Sequence, residues 1–400
     1  MTEHKKRIEL LAPAGNIEKL NIAFKFGADA IYCGGTKFGL RKYADNFSIN
    51  ELKEGIQIAN NSNKKVYIVL NGFPHNEDMK ELPHYLENLQ KLQPHGLIIS
   101  DLGLISEVKK QTDLTVHVST QASITNWRAC KLLKEAGAER IILAREVNIE
   151  ECKEIKKHLD VELEVFVHGA QCASYSGKCV ISNYTSGRDS NRGGCLQSCR
   201  HKYDIINPET KELEDSTFIM NAKDQMGIHL IPELIDSGMD SLKIEGRMKS
   251  NIYLANTVTN YRTTIDEYYQ TKSSKSLPLK ETELKKVSNR SFESGGLESR
   301  PLGHTIQYKF CHSQKFIEFI GTVKEAEPNK YIICEVKFPF KKNDTVELLH
   351  QNGDIQSIQI TQLSTISDEP LEQAKTSSLI KLPWIKNTQK YDMIRLPINE

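Results

Sequence analysis

The 400-residue sequence predicts an α/β chain: a TIM-like (β/α)-barrel followed by a small antiparallel β domain. Three observations carry that expectation. Residues 7–250 alternate short β-rich runs with amphipathic stretches. Polar groups capable of chemistry stand at the C-terminal end of nearly every run, which is how a barrel builds its active face. Beyond about residue 303 the hydrophobic pattern changes to period two.

The apolar runs are 8–12, 30–34, 66–70, 96–100, 114–119, 140–144, 163–169, 218–221 and 241–246. Nine runs are one too many for an eight-stranded barrel, so 218–221 is the one expected outside it. Segments such as SINELKEGIQIANN and NWRACKLLKEAGAE read as the intervening helices. Gly27 and Gly137 follow helical patterns, where a left-handed residue ends a helix. The ring of strand-end groups runs Gly34-Gly35, Asn71, Ser100-Asp101, Ser119-Thr120-Gln121, Arg145-Glu146, His168, Asn221-Lys223-Asp224 and Glu245-Arg247. An open doubly wound sheet fits the alternation equally well; the ring favours the barrel. Residues 251–270 read as one long helix, and TKSSKSLPLK as linker-like. The expected division is a barrel over 1–270, a linker over 271–302 and a small β-barrel-like domain over 303–400, with KFIEFIGTV, KYIICEVKF, TVELLH, IQSIQITQL and YDMIRL as strands and QNGD as a turn.

Composition narrows the class. Apolar residues are 38% and charged residues 26%, ordinary for a globular protein. No apolar stretch is long enough to span a membrane. The charged N-terminus lacks the core of a signal peptide, so a cytoplasmic location is expected. The net charge of +1 offers no global attraction for nucleic acid. Locally, residues 178–202 hold five basic residues against one acidic, and 243–290 hold ten against five.

In a reducing compartment nine cysteines do not form a disulfide framework, and clustered ones are metal ligands or catalytic groups. The loop over 168–203 carries Cys172-x6-Cys179-x15-Cys195-x3-Cys199 directly after an expected strand, with no clear helix. A connection that long needs a function or internal support, and a metal centre supplies support through folding free energy. Zinc favours paired ligands at C-x2–4-C spacing, and only Cys195-x3-Cys199 has it. Widely spaced thiolates on a glycine-rich loop suit a [4Fe–4S] cluster, with zinc the alternative. Cys33, Cys130, Cys152, Cys311 and Cys334 stand singly and read as buried apolar residues.

The run from Glu164 to Ser182 resembles the signature of the collagenase-like peptidases of unknown catalytic type, family thirty-two. LLAPAG, GADAIYCGG, STQASITN, NYTSGRDSNRGGCLQSCR and SLKIEGRMKS resemble family blocks in family order, over about residues 8–270. The family label implies a protease or hydrolase. Yet the sequence holds no G-x-S-x-G and no H-E-x-x-H, and a Cys172–His168 pair would compete with metal ligation. Other members imply a [4Fe–4S] cluster and oxygen-independent hydroxylation of RNA bases or a quinone. The C-terminal β domain resembles the branch that makes 5-hydroxyuridine at the tRNA wobble position, with prephenate linked to the hydroxyl donor. That resemblance implies Cys172, Cys179, Cys195 and Cys199 as cluster ligands, tRNA and a small carboxylate such as prephenate as partners, and allows a paralogous subunit. A zinc-stabilised, non-catalytic RNA-binding subunit is the remaining alternative.

Six further residues are candidates for the chemistry. His168 ends a strand and reads as a proton donor or a hydrogen-bond partner to a cluster sulfide. Arg188, Asp189 and Arg192 lie inside the cysteine loop, where arginine forks suit carboxylate or phosphate. Glu245 and Arg247 end the last run. Tyr175 and Tyr184 suit either stacking on a base or covering a cluster.

Overall fold

The computed structural model describes residues 7–40, 45–287, 290–310 and 315–398. Strands and helices alternate as β1 (Glu9–Pro13), α1 (Ile17–Lys25), β2 (Ala30–Gly34), α2 (Ile49–Asn61), β3 (Lys65–Leu70), α3 (Leu82–Leu92), β4 (Gly96–Ile99), α4 (Leu102–Gln111), β5 (Val116–Val118), α5 (Trp127–Glu135), β6 (Arg140–Ile142), α6 (Ile149–His158) and β7 (Glu162–Ala170). After them come α7 (Ile181–Ser186), a hairpin of β8 (Tyr203–Ile206) and β9 (Leu213–Thr217), β10 (Asp224–Met226), α8 (Ile231–Asp236) and β11 (Ser241–Ile244). Strands β1 to β7 pair in sequence order, and β11 lies between β7 and β1, so eight parallel strands close a barrel. Residues 218–221 form no strand, in keeping with their expected exclusion.

Local chemistry sets the helix ends. Ser48 with Glu51, and Asn148 with Glu151, form capping boxes that satisfy the first N–H groups of α2 and α6. Asp101 and Asn126 cap α4 and α5. Gly27 and Gly137 take φ of 109° and 96°, as a left-handed ending requires.

The barrel interior is apolar in part, with Leu11, Ala30, Tyr32, Tyr67, Val69, Ile98, Ile142 and Phe166 in one cluster. Among them lies a buried ion network. The Arg140 guanidinium donates to Glu9 at 2.5 Å, Glu164 at 3.1 Å and Glu162 at 2.8 Å. Tyr67 and Ser241 hydroxyls also donate to Glu9, at 2.8 and 3.2 Å, and the Lys243 ammonium donates to Glu164 at 2.9 Å. Burial alone would raise the Glu9 carboxyl, but Arg140 outweighs it and holds the group below the usual carboxylate range.

Strand β7 has nine residues and outruns its barrel neighbours. Its last turns of chain, His168 to Ala170, pair antiparallel with β10, which in turn pairs with β12 (Phe292–Glu293). Contacts divide the chain into two compact units: residues 1–20, 29–248 and 290–312, and residues 21–28, 249–289 and 313–400. The barrel belongs to the first.

In the second unit, α9 (Asn251–Thr271) is buried along most of its length, as the long helical pattern anticipated. The expected linker, 271–302, instead carries α10 (Leu277–Lys285) and β12. Its Pro278 sits at the start of α10, where a missing N–H breaks no helical bond, so the proline that suggested a linker opens a helix. Strands β13 (Ile317–Glu327), β14 (Tyr331–Val336), β15 (Phe340–Lys341), β16 (Thr345–Leu349), β17 (Ile355–Gln359), β18 (Ser364–Thr365), β19 (Gln373–Ala374), β20 (Leu379–Pro383) and β21 (Met393–Pro397) follow. Seven of them form an antiparallel sheet in the order β17-β16-β21-β13-β14-β20-β18. Fully buried Arg395 ties it together by pairing with Glu283 of α10 and Glu347 of β16. Among the described residues no helix is long and apolar enough to cross a membrane.

Arg140→Met leaves Glu9 and Glu164 buried without their cation. It is expected to lower unfolding free energy by about 3–5 kcal/mol in urea titrations. Glu9 has a depressed folded pKa, so its stabilising share is present above the unfolded value of about 4.3. That share is lost as pH falls through the lower folded value. In acid titrations at fixed urea, Glu9→Gln is expected to flatten this loss relative to the wild type.

Candidate active site

At the C-terminal ends of the barrel strands lies a cavity of about 220 Å³. Its floor is the uppermost inward layer of the barrel: Tyr32, Val69, Phe166 and Lys243. Its walls are strand-end residues, Asn71, Ser119, Thr120, Gln121, Arg145, Glu245 and Arg247. Its cover is the cysteine loop, and Cys172, Cys179, Cys195 and Cys199 all line it.

Three anchors hold that loop over the mouth. Near its start, Ser176 donates its N–H to Glu146 at 3.0 Å and accepts from the Arg145 N–H at 3.1 Å. Gly177, at φ 71°, lies so close that an added Cβ would stand 2.0 Å from the Gln121 carbonyl oxygen. In the middle, Arg192 donates to the Phe73 carbonyl at 2.6 Å and to Asp78 at 2.7 Å, and the Phe73 N–H donates to Asn191 at 3.0 Å. The Arg192 hydrogen bond holds Asp78 below the usual carboxylate range. At the end, Arg200 donates to the carbonyls of Gln171 at 2.6 Å and Ala222 at 3.0 Å, and to the Asn221 side chain at 3.0 Å. Inside the loop, Asn191 donates to the Cys179 carbonyl at 2.8 Å, and Thr185 and Ser198 hydroxyls lie 2.8 Å apart.

The loop also contains α7 and two short 3-10 turns, which the sequence pattern did not reveal. Six residues are too few to display a helical period, and left-handed Gly187 ends the helix at once.

The four thiols share one electrostatic environment. Burial raises Cys199 above its ordinary value, Arg200 opposes this, and Cys172, Cys195 and Cys179 raise it further. These four are the residues able to hold a metal centre. Among the described residues no three His, Cys, Asp or Glu side chains are gathered closely enough for a single metal ion. The lone cysteines behave as expected where described: Cys33, Cys130, Cys152 and Cys334 are buried, and burial pushes each up to about 12. Cys311 lies outside the described residues.

Of the other candidates, Glu245 and Arg247 line the cavity. Arg247 donates to the Asn46 side chain at 2.7 Å and packs on Gly34, where a Cβ would lie 2.6 Å from its guanidinium. His168, Arg188, Asp189 and Arg192 do not line it. His168 is only 1% exposed and packs against Phe292, with ring centroids 5.4 Å apart. A Cys172–His168 couple is therefore not formed at the cavity. Asp189 accepts from the Asn191 N–H at 2.8 Å, and its carbonyl accepts from Gly194 at 2.7 Å, so it shapes the loop. Arg192 is committed to Asp78 and Phe73. The arginine forks of the Arg188, Asp189 and Arg192 group pointed to a ligand clamp; the fold uses Asp189 and Arg192 as fasteners. Asp224, a strand-end group, is buried against Arg290.

Sequence reading passed over Lys243 as a site residue. Burial drives its ammonium below the ordinary lysine value, and Glu164 works against that shift. The ammonium stands 4.5 Å from the Tyr32 ring centre and 5.4 Å from that of Phe166, and the Arg145 guanidinium lies 4.2 Å over the other partner ring, Phe166. A lysine inside the apolar run SLKI was the available signal. Among the described residues, four basic side chains, Arg145, Arg200, Lys243 and Arg247, and one carboxylate, Glu245, thus face the cavity with the four thiols.

Residues 15–307 match the model of Peptidase family U32, and residues 316–395 match the Peptidase family U32 C-terminal domain. The chain belongs to peptidase family U32. This U32 protein is 42% identical over 374 residues to tRNA hydroxylation protein P1 of Bacillus subtilis, covering 91% of this chain and 88% of that one. It is 34% identical over 266 residues to the 23S rRNA 5-hydroxycytidine C2501 synthase of Escherichia coli, covering 66% and 40%. It is 30% identical over 310 residues to a collagenase of Porphyromonas gingivalis, covering 74% of each.

Gly177→Ala would force the loop off the Gln121 carbonyl and strain a left-handed backbone. Its expected effect is faster tryptic cleavage at Lys178 and Arg188, with the barrel's far-ultraviolet dichroism unchanged. Cleavage at the wild-type rate would show that the loop does not depend on this close approach.

Proposed function

We propose that this protein is an iron–sulfur-dependent, oxygen-independent tRNA hydroxylase that makes 5-hydroxyuridine at the wobble position. The observation that carries the reading is the convergence of Cys172, Cys179, Cys195 and Cys199 on one barrel-mouth cavity rich in cationic side chains. Similarity to a tRNA hydroxylation protein across nearly the whole chain supports it, as does similarity to an rRNA hydroxycytidine synthase over two thirds of the chain. A tRNA substrate is in keeping with a cytoplasmic enzyme.

The donor set fits a [4Fe–4S] cluster. All four donors are thiols on one loop, and Cys172, Cys179 and Cys195 are each within electrostatic reach of Cys199. A cluster is wider than an ion, so it suits thiols that line a cavity without closing on a single point. Zinc asks for four thiolates at about 2.3 Å from one centre, a tighter gathering than the described side chains make. When bound, a cluster supplies electron transfer or a Lewis-acidic iron.

The chain's own residues have separable tasks. Lys243, Arg145 and Arg247 offset the negative charge of a thiolate-bound centre and attract an anionic co-substrate, a small carboxylate of the prephenate kind. Arg offers a planar fork to a carboxylate, and Lys243 a compact point charge held in place by Glu164. Phe166 and Tyr32 give a flat, apolar floor for a ring. Among the described residues Glu245 is the carboxylate lining the cavity, where it can hold or release a proton. The loop covers the mouth and limits water.

Cys179→Ala, purified without air, is expected to lose iron, the visible cluster absorption and wobble 5-hydroxyuridine in tRNA nucleosides measured by mass spectrometry. Lys243→Ala is expected to keep its iron and to raise the KM for the carboxylate donor about tenfold or more, as loss of a charge-assisted contact predicts. Unchanged 5-hydroxyuridine in cells lacking this gene and any redundant enzyme would refute the reading.

A further inference from the structure

The cysteine loop carries a second feature, on its outer side. Tyr184 of α7 is 88% exposed, and Tyr175, at the cavity wall, is 53% exposed. Val180 and Leu196 are exposed beside them in sequence. An aromatic ring left in water on a loop tied down at three places is not part of that loop's packing. It also cannot be the lid of a metal centre. The two tyrosines therefore divide: Tyr175 borders the cavity, whereas Tyr184 faces solvent.

The charge of the loop is predominantly positive. From Lys178 to Lys202 there are five basic residues and one acidic, in a chain whose net charge is only +1. Arg192 is offset by Asp78, whereas Arg200, which lines the cavity, keeps its charge there. Lys178 and Lys202 are exposed. A solvent-facing ring on a predominantly basic loop suits single-stranded nucleic acid: the cations follow the phosphates and the ring stacks on a base.

We infer that Tyr184, with Lys178 and Lys202, forms a docking platform for a single-stranded RNA segment. Tyr184 stacks a nucleobase flanking the one that enters the cavity, and Tyr175 borders the entry. The inference rests on the RNA-hydroxylase reading and adds to it the surface that holds the substrate outside the cavity. It also explains why an unpaired loop, with bases free to splay, is the substrate form this mouth admits.

The test is fluorescence anisotropy of a labelled anticodon stem–loop RNA with the full-length, anaerobically reconstituted protein. Tyr184→Ala is expected to weaken binding about tenfold, the effect of losing one base–aromatic stack, whereas Tyr184→Phe keeps the stack and binds within about twofold of wild type. Iron content is expected to stay the same in both, because Tyr184 does not line the cavity that the four thiols line. In turnover, Tyr184→Ala is expected to raise KM for tRNA more than it lowers kcat. Lys178→Glu is expected to weaken binding and to flatten its salt dependence. Equal affinity of Tyr184→Ala and wild type overturns the platform; if that variant still modifies the wobble uridine, the hydroxylase reading survives. Unchanged RNA binding with a loss of self-association in sedimentation gives the patch to a second copy and also overturns it. No RNA binding by the wild type overturns both.

Discussion

The barrel is organised around a buried charge network, in which Arg140 joins Glu9 and Glu164 while Glu164 also holds Lys243. Placing charges in a low-dielectric interior is costly unless each finds a partner, so strands β1, β6, β7 and β11 must meet in one register. A one-residue slip of any of them would turn a charged side chain outwards and strand its partner. The network thus specifies closure as well as stabilising it. Purely apolar packing would tolerate more than one arrangement of short parallel strands.

The same network reaches the site. Glu164 lies one inward layer below Phe166, and Lys243 stands in register with Phe166 on the neighbouring strand. Glu164 therefore joins the base of the barrel to the cavity floor. Burial pulls this lysine below its ordinary value, and the carboxylate that Arg140 also holds works against that shift. Structural and functional electrostatics are one system here: altering Arg140 would be felt at Lys243 through a shared carboxylate.

The loop above the floor follows a different rule. Its ends are fastened by ordinary hydrogen bonds from Ser176, Arg192 and Arg200 to backbone and side chains around the mouth. These leave the four cysteines facing inwards without a packing role of their own. Among the described cysteines this separates them from Cys33, Cys130, Cys152 and Cys334, which are buried and raised towards about 12. Thiols kept partly accessible over a cationic cavity are the ones suited to ligation.

Much of this was legible in the chain itself. Alternation of apolar runs with helical patterns, and period-two patterning after residue 303, are local properties, so they marked the barrel strands, the long helix α9 and most strands of the C-terminal sheet. Strand β20 escaped, as did α7, whose six residues are too few to display a helical period. The cysteine spacing pointed to a shared centre because ligand chemistry restricts residue type. Tertiary structure alone decided which polar residues face the cavity. Asp189 and Arg192 looked like a clamp and turned out to fasten the loop, while Lys243, hidden in an apolar run, proved to be the floor cation. The physical reason is that a side chain's partners come from distant strands: Lys243 and Glu164 are 79 residues apart, and Arg192 and Asp78 are 114 apart. The sequence determined the alternating elements and the set of four thiols on one loop; closure of the barrel decided which charges stand beneath them.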